Sequence, residues 1–442
     1  MRLKLHFTRI YHRKKMRRYI FLIVVLFFTG CTTPSVEATL SPEATLTPTV
    51  APPLQTEEPD SLPDRLVTIR IWIPPEFDPD NGSLQGESLR TRLDEFTERR
   101  SNVRIETRIK DVEGPGGMID TLITAGAAAP LALPDLVALP HHSLENAAIK
   151  GLLHPFDGLT SAMDDPDWFE YARELSHIQN GTFGIPFAGD ALILVYRPSL
   201  LGNRPKDWES TLGASAEASA TLVFPAADPN ALVTLAFYLS AGGQIVDEEN
   251  RPILDTIQLT EVLTYYQQAQ QSSLMPFWLT QYETDDQAWT AYQENQTEMV
   301  ITWASRYLQN LPVDSAGAPI PTIDGLPFTL ASGWAWALVS PDPERQVISA
   351  QLAEFLSTGA FLAEWTAASG YIPPRSSTLS AWENVSIQTL LNQVAPSARL
   401  APSLDIITTL GPVLQNATVD ILKEQSDPVT AAGAAAEVLN PP

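Results

Sequence analysis

The chain has 442 residues, 44% of them hydrophobic and 18% charged, which is enough to bury the cores of two domains. Its 52 acidic residues against 28 basic ones give a formal charge of −24, which argues against nucleic acid and against a polybasic hold on anionic lipid. With one cysteine there is no internal disulfide, so the folded part must be stable through its core.

The first 30 residues hold eight bases (Arg2, Lys4, Arg9, Arg13, Lys14, Lys15, Arg17 and Arg18) and no acid. The apolar run Tyr19–Phe28 follows, then Thr29-Gly30-Cys31, the order of a secretory signal whose core is too short to span a bilayer. Cys31 stands where a bacterial lipoprotein signal carries its modified residue. Thr29-Gly30 resembles the lipobox, with Phe28 where Leu is usual. Residues 1–30 are therefore expected to be a lipoprotein signal peptide and Cys31 the lipid anchor; the alternative is a buried free thiol. Met16-Arg17-Arg18 ahead of the same run is a compact signal by itself, so Met16 is a second candidate start beside Met1. Without the leader the formal charge is about −32, suited to a self-repelling protein held at the membrane by acyl chains. Residues 31–64, rich in Thr, Pro, Ala and Glu, bury too little to fold and read as an extended tether.

From Arg65 the pattern changes. Leu66–Ile73 alternates as a strand, and 88–100 carries Leu89, Leu93 and Phe96 at helical spacing behind Ser88 as N-cap. Val103–Ile109 predicts a strand, Gly117–Ala128 a helix, Pro134–Leu139 a strand, and Ser143–Lys150 a helix stopped by Gly151. This βαβαβα order favours a parallel sheet with helices on its faces. The same alternation returns later. Strands are expected at Leu222–Phe224, Met299–Thr302 and 333–340, and helices at Asn230–Ser240, 258–271, 284–295, 343–357 and 359–368. The C-terminal third reads as helices throughout.

Between these halves lies Gly184–Arg197. Pro186 holds Ile185 extended, and Asp190 directly precedes the apolar run Ala191–Tyr196, which has the character of a buried strand. An acid at the mouth of a buried strand is costly unless something needs it there. Asp190 is expected to face a cleft where the chain crosses between lobes; the other reading is a solvated turn.

Several ordered segments carry a family resemblance. They are Pro134–Leu139 followed by Gly151-Leu-Leu-His-Pro-Phe156; Phe183–Arg197; Gly242-Gly243 with Asp247; Met299–Leu311; and Gly333-Trp-Ala-Trp-Ala337 followed by Gly370-Tyr-Ile-Pro-Pro-Arg375. From about Arg65 to the C-terminus the chain resembles an extracytoplasmic solute-binding protein of an ABC importer, closest to the family of maltose-binding protein and the sugar-binding lipoproteins. The resemblance implies an α/β fold of type II periplasmic-binding-protein kind. Each of its two lobes would be a mostly parallel sheet flanked by helices, with the ligand cleft between them. Residues 65–442 would form the binding domain. Lobe 1 would take about 65–186 plus 322–372, and lobe 2 about 187–321 plus 373–442. The crossings would fall near Ile185–Asp190, Pro319–Thr322 and Tyr371–Arg375.

The same resemblance places site residues. Glu76 falls in the loop after the first strand, His142 after the third, and Asp190 at the first crossing. Ten Trp, 11 Tyr and 16 Phe supply aromatic faces suited to sugar rings, and Trp72, Trp303, Trp334 and Tyr371 fall where strands end or the chain crosses. Trp334 and Trp336 are two apart and share a face. Arg306 stands where many sugar binders have an aromatic. It would either favour an acidic ligand such as a uronate or pair with Asp190 or Glu76.

The expected ligand set is Glu76, His142, Asp190, Arg306, Trp334, Tyr371, Trp72 and Trp303, with no metal, no cofactor and no catalytic residue. No nucleotide-binding, serine-hydrolase or zinc-protease motif is present, and no pair of carboxylates stands out as a glycosidase's. The expected function is capture of a small solute, a sugar or oligosaccharide, by hinge closure. A monomer, lipid-anchored on the outer side of the membrane, would deliver it to ABC permease subunits. The alternatives are a sensor signalling to a membrane receptor, and the same fold binding a non-sugar such as a polyamine, peptide or organic anion.

Overall fold

The computed structural model describes residues 66–129 and 132–439; the leader, Cys31 and the tether lie outside them. Val67–Ile73 (β1) alternates as its sequence predicts. Ile69, Ile71 and Ile73 enter the larger core, and Trp72 enters a smaller one on the opposite face. Helix α1 (Leu84–Glu98) leads to β2 (Val103–Ile109), parallel to β1 in register from Val67↔Val103 to Ile73↔Ile109. The cap of α1 is Ser83, whose hydroxyl accepts the Gly86 N–H at 3.1 Å, and not Ser88. The extra turn carries an exposed Leu84, so apolar spacing does not announce it.

After α2 (Met118–Ala128), β3 (Leu136–Pro140) joins the other side of β1, also parallel. Asp135 at its start is 1% exposed; it accepts the Arg70 N–H at 2.7 Å and a two-pronged bond from Arg345. A buried acid held this way ties β1 and β3 to a later helix. Helix α3 (His141–Ile149) stops as expected at Gly151, whose φ is +68°. Helix α4 (Glu170–Ser176) and the hairpin β4 (His177–Ile178) with β5 (Gly181–Thr182) follow, all unannounced by periodicity.

Strand β6 (Ile185–Tyr196) is one strand of 12 residues. The second half of the chain then adds α5 (Trp208–Ala218), β7 (Leu222–Val223), α6 (Leu232–Ser240), α7 (Thr256–Gln271) and α8 (Asp285–Gln293). Next come β8 (Met299–Trp303), α9 (Ala304–Asn310), β9 (Ala316–Ala318) and β10 (Thr329–Leu338). The end of the chain comprises α10 (Pro343–Phe355), α11 (Gly359–Ser369), α12 (Ser376–Leu379), α13 (Val385–Ser397), β11 (Ala398–Leu400), α14 (Leu404–Leu422) and α15 (Pro428–Leu439). It is therefore helical with one short strand.

The strands run β2-β1-β3-β10-β6-β8-β7, with β11 beside β10 and β9 beside β6. The parallel expectation holds for β1 with β2 and β3, and for β7 with β8. Strand β10 runs antiparallel to β3 and β6, and β6 antiparallel to β8 and β9, while β11 lies parallel to β10, so the sheet is mixed. Strand β6 changes partners midway: Ile185–Ala191 pairs with β10, and Leu192–Tyr196 with β8. Near that change Gly189 exchanges two backbone hydrogen bonds with Ile372, at 2.7 and 2.8 Å. Among the described residues no helix is long and apolar enough to cross a membrane.

Candidate solute cleft

Strand β1 ends in Pro74-Pro75, which turns the chain and sets Glu76 out at a rim while Phe77 drops back into the core, 2% exposed. The Phe77 ring is a hub. It meets Trp334 edge-on at 4.9 Å, Phe187 at 5.4 Å and Tyr371 at 5.7 Å. On β10, Trp334 and Trp336 share the face of the larger core, while Ala335 and Ala337 belong to the smaller one. Trp336 is buried against Phe187, and Trp334, one step nearer the strand change, is half-exposed at the rim.

The sheet beneath is stripped of side chains. Gly189 of β6 and Gly333 of β10 are partners, and a Cβ on Gly189 would lie 2.1 Å from the Tyr171 hydroxyl. Beside them Asp190 faces Ser332 across the strand pair. The Asp190 carboxylate accepts hydrogen bonds from the N–H and hydroxyl of Ser305, in the first turn of α9, and from the Ala191 N–H.

These elements enclose a cleft of about 460 Å³. It gathers Glu76, Asp190, Trp303, Arg306, Trp334 and Tyr371, six of the eight residues expected from sequence, and adds Ser305, Gln309 and Ser332. Period arguments account for two of the three additions, once Ser305 is in place. Ser332 shares a strand face with Trp334, and Gln309 lies four residues from Ser305 on α9.

Trp72 and His142 lie elsewhere. Trp72 is 2% exposed on the far face of the sheet, with the Lys110 ammonium 4.7 Å from its ring centre; strand alternation turns it away from Ile71 and Ile73. His142 sits in the first turn of α3 against His141, ring centres 4.6 Å apart, and does not line the cleft. Burial pushes His141 down to about 3, so it stays neutral.

Electrostatics separate the acids. Burial pushes Asp190 up to about 7 against the hydrogen bonds from Ser305 and Ala191, and the Asp285 charge adds to the rise. Burial likewise raises Asp285 to about 6, while the Thr302 hydroxyl and the Arg306 charge hold it down. Glu76 is raised too, chiefly by desolvation at the rim. Arg306 pairs with neither Asp190 nor Glu76. Its Nε lies 3.4 Å from Asp285 Oδ2, and its Nη2 contacts Asp286, both acids in the first turn of α8. Among the described residues no group of His, Cys, Asp and Glu forms a metal site.

The family model of the bacterial extracellular solute-binding proteins matches residues 91–388, more than half of the chain. The chain belongs to this family. Its fold matches solved structures of maltose-bound MalE3 from T. maritima (TM-score 0.64, 17% identity, covering 84% of this chain and 99% of that one). It also matches the sugar-binding protein MalE of Xanthomonas citri (0.69, 18%, 85% and 98%). A third match is an ABC transporter solute-binding protein from Thermotoga lettingae bound with α-D-tagatose (0.62, 20%, 84% and 98%). No curated protein sequence matches the chain. At such identities the likeness concerns the fold, which is the two-lobe binding-protein architecture expected from the sequence. An extracellular solute-binding protein works outside the cytoplasm, in keeping with the basic and apolar leader.

Proposed function

We propose that this solute-binding protein captures a sugar or short oligosaccharide in the cleft and delivers the closed form to the permease of an ABC transporter. One observation carries the reading. Aromatic rings from three separate segments (Trp303, Trp334 and Tyr371) surround a floor of hydrogen-bonding groups from Asp190, Ser305, Gln309 and Ser332. Ring faces complement the C–H faces of a sugar, and carboxylates, hydroxyls and amides bind its hydroxyls.

In this reading β6 is shared by the lobes, and the change of lobe falls between Ala191 and Leu192, where its pairing partner changes. Contacts from both sides exist together only when the lobes close, so the ligand shifts the population toward closure. Cys31 carries the lipid anchor, and the monomer stays tethered by residues 31–64. A Cys31→Ser variant released into the medium would support the anchor; one retained at the membrane would refute it.

A thermal-shift screen of residues 65–442 tests the function, using mono- and oligosaccharides, uronates, polyamines and amino acids. A ligand at 100 times its dissociation constant adds about 2.7 kcal/mol. Stabilisation by sugars supports the reading, and stabilisation only by amino acids or polyamines overturns it.

A further inference from the structure

The charge balance of the cleft speaks to the kind of sugar, an inference that rests on the sugar reading above. Two acids, Glu76 and Asp190, and one base, Arg306, line the cleft. The base is already matched by Asp285 and Asp286 from α8. Among the described residues no Lys, Arg or His pairs with either lining acid; the Arg306 ion pairs run to α8 alone. The cleft therefore presents two acids without a protein counter-charge, beside the aromatic side chains of Trp303, Trp334 and Tyr371.

Both features favour a cation: carboxylates through charge-assisted hydrogen bonds, aromatic faces through their quadrupoles. A neutral sugar would offer those acids only hydroxyl donors, and a uronate would be repelled. We infer that the solute is a cationic sugar, carrying a free amino group that the Glu76 and Asp190 carboxylates receive while the ring lies on the aromatic wall.

The surroundings of Asp190 agree. Facing it are Ser305 of α9, Tyr171 of α4, Tyr371, and the Asp285–Arg306 pair, whose acid raises its pKa further. Burial without a counter-ion leaves its carboxyl partly protonated near neutral pH. An ammonium beside it would favour the carboxylate, so binding would release a proton from Asp190 to solvent.

Calorimetric titration of the protein tests this, with D-glucosamine against D-glucose and with the β-1,4-linked glucosamine disaccharide against cellobiose. Titrations near pH 7 in two buffers of different ionisation heat count the protons released. The amino member of each pair should bind at least about tenfold more tightly, with net proton release, and lose its advantage in high salt. Glu76→Gln, an exposed rim substitution that leaves the core untouched, should shrink that advantage. Equal or tighter binding of the neutral members, or full preference in E76Q, overturns the charge inference and leaves the sugar reading standing. Binding by no member of either pair overturns the charge inference, while the sugar reading is decided separately by the thermal-shift screen.

Discussion

The Asp190 carboxylate takes both the backbone N–H of Ser305, at 3.0 Å, and the Ser305 hydroxyl, and so caps α9 from another element. The helix's own N-cap, Trp303, has no side chain that can accept an N–H, so a strand supplies what the local sequence does not. Ser305→Ala should therefore cost about 1 kcal/mol, and Asp190→Ala about 2–3 kcal/mol because it leaves a buried N–H and hydroxyl without acceptors. Urea denaturation measures both. Equal small losses would mean that the cap is not used.

The raised pKa of Asp190 gives a pH dependence with a definite sign. A carboxyl at about 7 in the folded state and near 4 when unfolded binds its proton more tightly in the fold. Its contribution is full below the unfolded pKa and is lost as pH rises through about 7. Asp285, at about 6, acts in the same direction. Asp190→Asn removes one such slope, so variant minus wild-type stability should climb between pH 4 and 7.5. A flat difference would show that Asp190 titrates normally.

Freeing Arg306 should change ligand choice. In an Asp285→Asn/Asp286→Asn double variant the guanidinium loses both partners and is left as the one base lining the cleft. Glucuronate should stabilise this variant in a thermal shift and leave the wild type unmoved. The same response in both would mean that the acids do not restrain Arg306.

Gly189 has no room for a side chain, since the Tyr171 hydroxyl occupies the Cβ position and Tyr171 is itself buried. Gly189→Ala must push the ring or the strand aside, at about 1–3 kcal/mol. The calorimetric midpoint should fall. An unchanged midpoint would show that the strand pair yields freely.

Arg345→Leu removes the guanidinium from Asp135, which is 1% exposed. An uncompensated buried carboxylate costs about 3–5 kcal/mol. Asp135→Asn in the same background should recover part of the loss, which denaturation of the double variant would reveal.

Much of this architecture is readable in the residues because the strongly periodic segments are also the well-buried ones. Strand β1 alternates, α7 carries a continuous apolar face, and both lie where expected. Helix α5 carries little apolar period because, of its buried residues Trp208, Thr211 and Ser215, only Trp208 reads as apolar; its signal is the capping pair Asp207 and Ser210. Strand β11 has three residues and owes its conformation to pairing with β10 at Thr329–Ala331, which no local pattern encodes.

Within the cleft, residues next to a turn or strand end were legible, as Glu76 and Tyr371 show. Trp72 misled because alternation allows either face, and only the packing of α2 against the sheet selects one. The partners of Arg306 lie some twenty residues upstream on another helix, beyond the reach of any local pattern.

The place of β10 also has a consequence in time. It stands between β3 and β6, yet Thr329–Leu338 is made long after either of them. While the ribosome is still short of that strand, the facing edges of β3 and β6 have no partner, and the sheet cannot join across them. Such distant pairing delays folding and leaves the nascent chain open until most of it has been made. For a polypeptide bound for the outside of the cell, that delay keeps it threadable.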